Sequence, residues 1–433
     1  MGSEDTAHPG GYDADIIVIG AGVVGAACAL ELSRQGANVQ VLDRQAPGKG
    51  ASYGNAGHMA TEQVFPIADA SILKRLPRML VDPMGPLRLD WKYVPKALPW
   101  FARLVWNLRP TSYRNSVSGL RALNEQSLPA WRRLLASIDQ SHLLQESGSF
   151  LIYESAKGKD EADHVVARMS EHGVPVESWT REAVAQRIPA LSNSIMGGLF
   201  FPATGHVVEP FSVVNSLVDS ARRHGVDFKT ADVVKAEKGR EGITLTTSAG
   251  VLVTRKVVIA CGAHSQQLTK ALTGVHVPLD TERGYHLMLP KETGRLPVAV
   301  TSLERKFIMT PMSHGLRLAG TVEFAGLKQP AMMKRAWQLH KLSDGLFKSR
   351  LNIEDASPWM GFRPSLPDSL PVIDCYEEDE RILLAFGHHH LGLTQAAITA
   401  EIIGNLAVGG DRNTFQKDDV CISLKPYKIS RFA

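Results

Sequence analysis

The run ADIIVIG at residues 14–20 is apolar, β-branched and of strand length, and the stretch AACALELSRQG at 26–36 that follows it has helical spacing and stops at Gly36. Between them lies Ala21-Gly22-Val23-Val24-Gly25, and beyond them Asn38-Val39-Gln40-Val41-Leu42-Asp43 forms a second strand-like run with an acidic end. The pattern predicts a complete strand–turn–helix–strand unit. Further along, residues 113–140 keep a helical period, 148–153 (GSFLIY) predict a strand, and residues 160–200 alternate between helical and loop patterns. Pro210 to Arg223 predicts a helix after the turn at Gly205, and strands follow at 224–228, 243–247 and 251–254, the last two joined as a hairpin by Ser248-Ala249-Gly250. Lys256 to Ala263 predicts a buried parallel strand ending in a small-residue turn, and 284–290 and 305–325 predict strands of a mixed sheet with His314-Gly315 at a turn. A final strand at 381–387, a turn at His388 to Gly392 and a helix from Leu393 to Ala407 repeat the opening motif at the other end of the chain.

At 433 residues the chain is long enough for two or three domains of about 150 residues each. Its formal charge of +4 is small for that length, and a nucleic-acid partner is not expected. No apolar run approaches the roughly 18 residues of a spanning helix, and the polar, acidic opening residues do not resemble a secretory signal, so a cytoplasmic protein is expected. Cys28, Cys261, Cys375 and Cys421 have neither zinc-ligand nor disulfide-framework spacing and are expected to be thiols, with no metal site. Met1-Gly2 and the following residues match the loose myristoylation pattern, which a flexible leader matches equally. Residues 71–114 carry nine Lys or Arg against two Asp, with apolar and aromatic side chains interleaved. Two readings stand for them: a patch for a membrane surface or a partner, which would make the protein peripheral on the inner face of the membrane, or an amphipathic excursion packed on its own domain.

The first unit carries chemistry. Gly20 allows a tight turn, Gly22 lets the backbone approach a pyrophosphate, and Gly25 lets helix and strand pack closely. The helix start after Val23 and Val24 offers free N–H groups and the positive end of its dipole to a phosphate. Asp43, 18 positions beyond Gly25 where about 20 is usual, can accept hydrogen bonds from a ribose, with Arg44 beside it. FAD and NAD share this fingerprint. The small-residue run from Pro47 to His58, including Ala51, Ser52, Asn55, Ala56 and Gly57, exposes many backbone N–H groups that could wrap a second part of a large cofactor, and a plain flexible loop is the alternative.

These motifs together make the chain resemble the D-amino-acid oxidase superfamily of FAD enzymes, most closely bacterial D-amino-acid dehydrogenases. The resemblance rests on Asp15–Asp43, Gly50–Gly57, Val258–Ser265, Gly284-Tyr285-His286, Gly315–Glu323, Trp359–Ile373 and Gly387–Thr394. It implies an α/β fold: a discontinuous Rossmann-like FAD-binding domain (1–70, 206–271, 355–433) and a substrate domain (71–205, 272–354) built on a mixed, largely antiparallel β-sheet with helices. It also implies an FAD cofactor, oxidation of an amino acid C–N bond, and an imino acid released to hydrolyse. Arg363 is implied to grip the substrate carboxylate, with Tyr285 sharing the contact, and a guanidinium fork matches a carboxylate in a way that Lys cannot. Val233, Cys261, Gly262, Gly361 and the run His388-His389-His390-Leu391-Gly392-Leu393-Thr394 are implied at the flavin, the last with its helix start facing the edge where reduced flavin carries negative charge. Three consecutive histidines cannot easily converge on one metal ion. One of them, His389, is expected to line the substrate pocket, with His58 a comparable candidate, although packing or solvation is the other reading of each.

Where broad D-amino-acid dehydrogenases have small and hydroxylic residues after the glycine–histidine pair, this chain has His389, His390 and Leu391, which favours a different substrate such as D-proline or a hydroxyproline isomer. The leading expectation is an enzyme oxidising a D-amino or imino acid and passing electrons to a quinone or other carrier. An oxygen-using glycine, sarcosine or amine oxidase, a catalytically idle flavin subunit, and an NAD-dependent dehydrogenase are the alternatives.

Overall fold

The computed structural model describes residues 11–67 and 84–433. The myristoylation pattern and the first part of the basic segment, up to residue 83, lie outside them. Strand β1 (Ala14–Ile19), helix α1 (Val23–Arg34) and strand β2 (Val39–Asp43) form where the apolar pattern predicts them. β1 lies between β2 and the long strand β3 (Gly250–Ile259), parallel to both. The strand at Asp227–Thr230 extends the parallel order beyond β2, while the strand 243–247 pairs antiparallel with the first half of β3 and the strand 233–238 pairs antiparallel with 243–247 in turn. The prediction split β3 into a hairpin strand and a parallel strand. It is instead one ten-residue strand whose first half completes the hairpin and whose second half, Val257–Ile259, runs fully buried between parallel neighbours.

Among the described residues the second sheet has nine strands. Three carry the site: β4 (Asp280–Leu289) pairs antiparallel with both β5 (Gly315–Phe324) and β6 (Ser357–Ser365). Two of its pairings are parallel, Ala299–Ser302 with Ser149–Tyr153 and β5 with Leu87–Leu89, so the sheet is mixed and mostly antiparallel. The chain then returns to the first sheet through the strand Val372–Cys375 and, antiparallel to it, strand β7 (Ile382–Phe386), which pairs parallel with β3, and ends its motif in helix α2 (Gly392–Ala407).

α1 and α2 are hydrophobic almost all round because they pack against each other within the largest core, which includes Ala26, Leu30, Ile398 and Ile402. Two segments cross the domain division expected from sequence. The helix Pro110–Ala136 buries Leu120, Trp131 and Leu135 in this same core, and β6 hydrogen-bonds into the second sheet. Trp131 also donates its indole N–H to the carbonyls of Leu393 and Thr394, fixing the start of α2. Of the basic segment, the helix Val94–Trp106 buries Ala97, Trp100, Phe101 and Leu104 against Leu89 and Phe324, while Trp91, Leu98 and Trp106 stay exposed. Among the described residues, no helix is long and apolar enough to cross a membrane.

Candidate active site

A cavity of about 1270 Å³ is lined by residues of both sheets. Every candidate residue named above lines it except Gly25, Gly57, Leu391 and Thr394. Those four shape it from behind. A Cβ on Gly25 would run into the Gly20 backbone, with the Gly20 carbonyl carbon at 3.0 Å, so α1 can lie this close to the turn only as glycine. Gly57 has φ +76° and donates its N–H to Asn55 Oδ1 at 2.8 Å. Leu391 is in the main core, and Thr394 Oγ1 accepts from the Ala60 N–H at 3.1 Å.

At one part of the cavity the turn after β1 is held for an anionic ligand. Gly20 has φ +109°, and a Cβ there would collide with the Ala260 backbone. Asp43 Oδ2 accepts from the Ala21 N–H at 2.7 Å and Oδ1 from the Gln45 N–H at 2.9 Å, so the acidic end of β2 stiffens the glycine turn as well as facing the cavity. Ser52 Oγ accepts from the Val23 N–H at 2.9 Å, tying the small-residue run onto the start of α1. That run is pinned at its far side: Arg317 donates to the Asn55 carbonyl and to Glu209, and His286 Nδ1 donates to the Gly54 carbonyl at 2.8 Å. It is an ordered wall, not a free loop. Cys261 donates its thiol to the Ile19 carbonyl, and burial with the nearby Asp43 charge pushes its pKa up to about 12, which leaves it an inert thiol. The glycine cradle, the helix start and the acidic strand end fit the pyrophosphate and ribose of a dinucleotide.

At another part of the cavity, β4, β5 and β6 converge. Glu282 on β4 stands opposite Arg363 on β6 in the antiparallel register. The Arg363 guanidinium folds across Gly284: a methyl there would lie 2.8 Å from Nη1 and closer to Nη2 and Cζ. Among the described residues its hydrogen bond to protein is a long one, Nη1 to the Thr321 carbonyl at 3.4 Å. Thr321 is the extra residue of a β-bulge, since β4 pairs Gly284 with Val322 and Tyr285 with Gly320. It has φ +56°, a strained conformation for a β-branched residue, and the bulge turns its carbonyl toward the arginine. Burial pushes the Arg363 pKa down and Glu282 opposes that, so a half-buried cation keeps most of its fork open toward the cavity.

Tyr285 lines the same cavity with its hydroxyl engaged by protein groups. Its hydroxyl donates to Glu323 Oε2 at 2.5 Å and accepts from the Met332 N–H, while burial and that carboxylate push its pKa up to about 12. The phenol is committed to Glu323, and the side chain offers the cavity its ring.

The three histidines have separate partners. His388 Nε2 meets Thr399 Oγ1 at 3.0 Å, His390 Nε2 contacts Gln63, and His389 Nε2 accepts from the Leu366 N–H at 3.0 Å. Burial holds His388 down to about 3 and His390 to about 4, so both are neutral. His58 lines the cavity with both ring nitrogens taken, by the Gly205 carbonyl and Glu62 Oε1. Among the described residues, no cluster of three or more His, Cys, Asp or Glu could hold a metal ion.

Sequence reasoning missed Glu282. Burial pushes its carboxyl up, but His389 and Arg363 outweigh burial and hold it below its ordinary value, so it is ionised inside the site. It also missed Trp359, which lines the cavity stacked on His286 with ring centroids 5.0 Å apart. Gly54 and Gly361 lack the Cβ that would strike its ring.

Comparison with known proteins follows the same lines. The DAO family, described as FAD dependent oxidoreductase, matches residues 15–406. A D-amino-acid oxidase of Bradyrhizobium diazoefficiens is 32% identical over 428 residues, covering 96% of this chain and 98% of that protein. A D-amino acid dehydrogenase of Rhizobium johnstonii is 29% identical over 93% of this chain and 98% of its own length. Among solved structures, glycine oxidase from Geobacillus kaustophilus superposes with a TM-score of 0.73 at 19% identity, covering 96% of this chain and 98% of its own.

Proposed function

We propose, on the premise that this chain belongs to the DAO family of FAD dependent oxidoreductases, that it dehydrogenates the Cα–N bond of a D-amino acid or cyclic imino acid held by its carboxylate. The observation that carries this reading is the open guanidinium of Arg363, folded over Gly284 in the cavity that also receives the glycine cradle. Gly20, Gly22, Asp43 and Ser52 would hold the FAD, and the start of α2 at Gly392-Leu393 would face its ring system. Bound FAD supplies a two-electron acceptor for the hydride that leaves Cα.

The residues of the chain supply position and environment. Arg363 fixes the carboxylate through two parallel charge-assisted hydrogen bonds, which sets both the distance and the face that Cα presents. The desolvation that depresses its pKa strengthens that pairing, because an arriving carboxylate replaces water the cation has already lost. Trp359 and the small-residue wall at 51–57 exclude water from the same space. No protein base is assigned, since positioning of this kind alone can supply roughly 7–11 kcal/mol of a barrier. The substrate nitrogen gives its proton to solvent so that its lone pair forms the C=N bond as the hydride leaves, and the imine product hydrolyses in solution.

Arg363 lies on a strand of the second sheet while the cradle belongs to the first. We therefore take residues 1–70 and 206–271 with the end of the chain as the cofactor-holding part, and 71–205 and 272–354 together with β6 as the substrate-holding part. For the acceptor, the exposed Trp91, Leu98 and Trp106 beside a basic segment support a quinone or carrier and a peripheral membrane contact, whereas the oxidase name of the 32% identical relative supports oxygen. The test is anaerobic mixing of the FAD-loaded protein with D-proline, hydroxy-D-prolines, D-alanine, glycine and sarcosine. Bleaching of the flavin absorption by a D-substrate is expected, and no bleaching by any of them removes the reading. Stoichiometric peroxide in air, with no gain from an added quinone, would assign the acceptor to oxygen.

A further inference from the structure

Among the described residues, three buried polar atoms of cavity-lining side chains make no hydrogen bond, Glu282 Oε1, His389 Nδ1 and Thr321 Oγ1, and the first two face each other. Their side chains are 5% and 3% exposed, and the two atoms lie 3.8 Å apart, too far for a hydrogen bond to each other. Neither group can simply close the gap. Glu282 is held on a strand paired on its neighbours' side with Arg363, and His389 sits at φ +54° with Nε2 anchored to the Leu366 N–H. A single ligand atom placed about 2.9 Å from each would satisfy both, a normal hydrogen-bond length on either side.

The chemistry of that atom follows from the two partners. A backbone N–H can only donate, so His389 Nε2 must be the unprotonated nitrogen, and in the neutral ring the proton is on Nδ1. The ionised carboxylate of Glu282 can only accept. The bridging atom must therefore donate once and accept once. A substrate carboxylate cannot donate, an ammonium cannot accept, and the α-amine is tied to the Cα beside the carboxylate at Arg363, about two strand residues from Glu282. A hydroxyl does both.

We propose that Glu282 and His389 form a receptor for a hydroxyl on the substrate, so that the enzyme selects hydroxylated D-amino or cyclic imino acids. The inference rests on the reading that Arg363 takes the carboxylate. Side chains alternate along a strand, so Glu282 and Gly284 face the same side of β4, about 7 Å apart along it. With the guanidinium over Gly284, a carboxylate at Arg363 and a hydroxyl at Glu282 belong to one small molecule when the hydroxyl is on its β- or γ-carbon.

The test is anaerobic stopped-flow reduction of the FAD-loaded enzyme by two matched pairs, D-serine with D-alanine and cis-4-hydroxy-D-proline with D-proline. Both the limiting rate and the dissociation constant are read from the concentration dependence. The expected result is that the hydroxylated member of at least one pair is favoured by about 10²-fold or more, since sites built to bind a hydroxyl reject analogues lacking it by up to about 10⁴–10⁵. Glu282→Leu and, independently, His389→Asn should each reduce that preference at least tenfold, asparagine being a residue that tolerates the left-handed backbone there. Equal efficiency within both pairs, or a preference that survives both substitutions in flavin-retaining protein, overturns this inference alone. Reduction by none of the four overturns the parent reading and this one with it.

Discussion

Gly284→Ala tests the position of the arginine without touching its charge. The added methyl would lie 2.8 Å from Arg363 Nη1 and closer to Nη2 and Cζ, whereas ordinary van der Waals contact begins at 3.4 Å. The guanidinium must retreat by at least about 0.6 Å, and further at its Nη2 edge. A misplacement of about 1 Å at a positioning group costs roughly 100-fold in rate, so a tenfold to 100-fold fall is expected, which is about 1.4–2.7 kcal/mol. Stability should move the other way or not at all. Gly284 is outside the left-handed region, the displaced atoms are the end of a long side chain, and alanine in a strand is favoured over glycine by roughly 0.5–1 kcal/mol. The assay is the rate of anaerobic flavin reduction by the best substrate, with flavin content and melting temperature measured on the same preparation. A reduction rate within twofold of the parent protein, in fully flavinated material, would refute the placement of Arg363 over Gly284 as the substrate anchor.

Arg363→Ala should lower kcat/KM by an amount corresponding to about 2–5 kcal/mol, and Arg363→Lys should recover only part of it, because lysine restores the charge without the fork; steady-state kinetics on both variants check this. Gly25→Ala should abolish flavin retention, read as the visible absorbance of the purified protein, since its Cβ would collide with the Gly20 turn. Acidification should destabilise the fold. Burial holds His286 and His388 down to about 3, and His206 and His390 to about 4, from an ordinary 6.5, so the unfolded chain binds more protons below pH 6.5. The stability these four contribute is complete above about pH 6.5 and drains as pH falls toward 4. Asp374, pushed up to about 6 by burial, works in the opposite direction, as do Asp280, raised by burial, and His58, where Glu62 outweighs burial, while burial lowers His264 as well, so that five lowered histidines stand against three raised groups. Melting temperatures between pH 7.5 and 4.5 should therefore decline, and a flat or rising profile would contradict the buried neutral state of the histidines.

The cofactor part of the site was legible because its chemistry is written locally. Gly20, Gly22 and Gly25 act through backbone geometry within six residues, and Asp43 ends the adjacent strand, so spacing alone exposes them. Arg363 was legible through the motif around it. Glu282 was not, because its role arises only when β4, β6 and the turn before α2 bring it beside Arg363 and His389, residues 81 or more positions away in sequence. Inside Asp280-Thr281-Glu282-Arg283 it reads as one more charged strand residue. The Tyr285 hydroxyl's partner was not legible for the same reason: Glu323 comes from β5 across a bulge at Thr321 that no periodicity announces. The parallel pairing of Ala299–Ser302 with Ser149–Tyr153 is likewise set by tertiary packing and not by the pattern of either strand.

The central claim is that a guanidinium anchors the substrate through its carboxylate. The measurement that bears on it most directly is the anaerobic rate of flavin bleaching by the best D-amino or imino acid, set against the rate with its carboxamide, which keeps the amine and Cα but loses the anionic fork partner. A rate with the carboxamide lower by about 100-fold or more is predicted, since hydrogen bonds to charged groups contribute about 1.5–3 kcal/mol apiece. Equal bleaching by the two would contradict the claim.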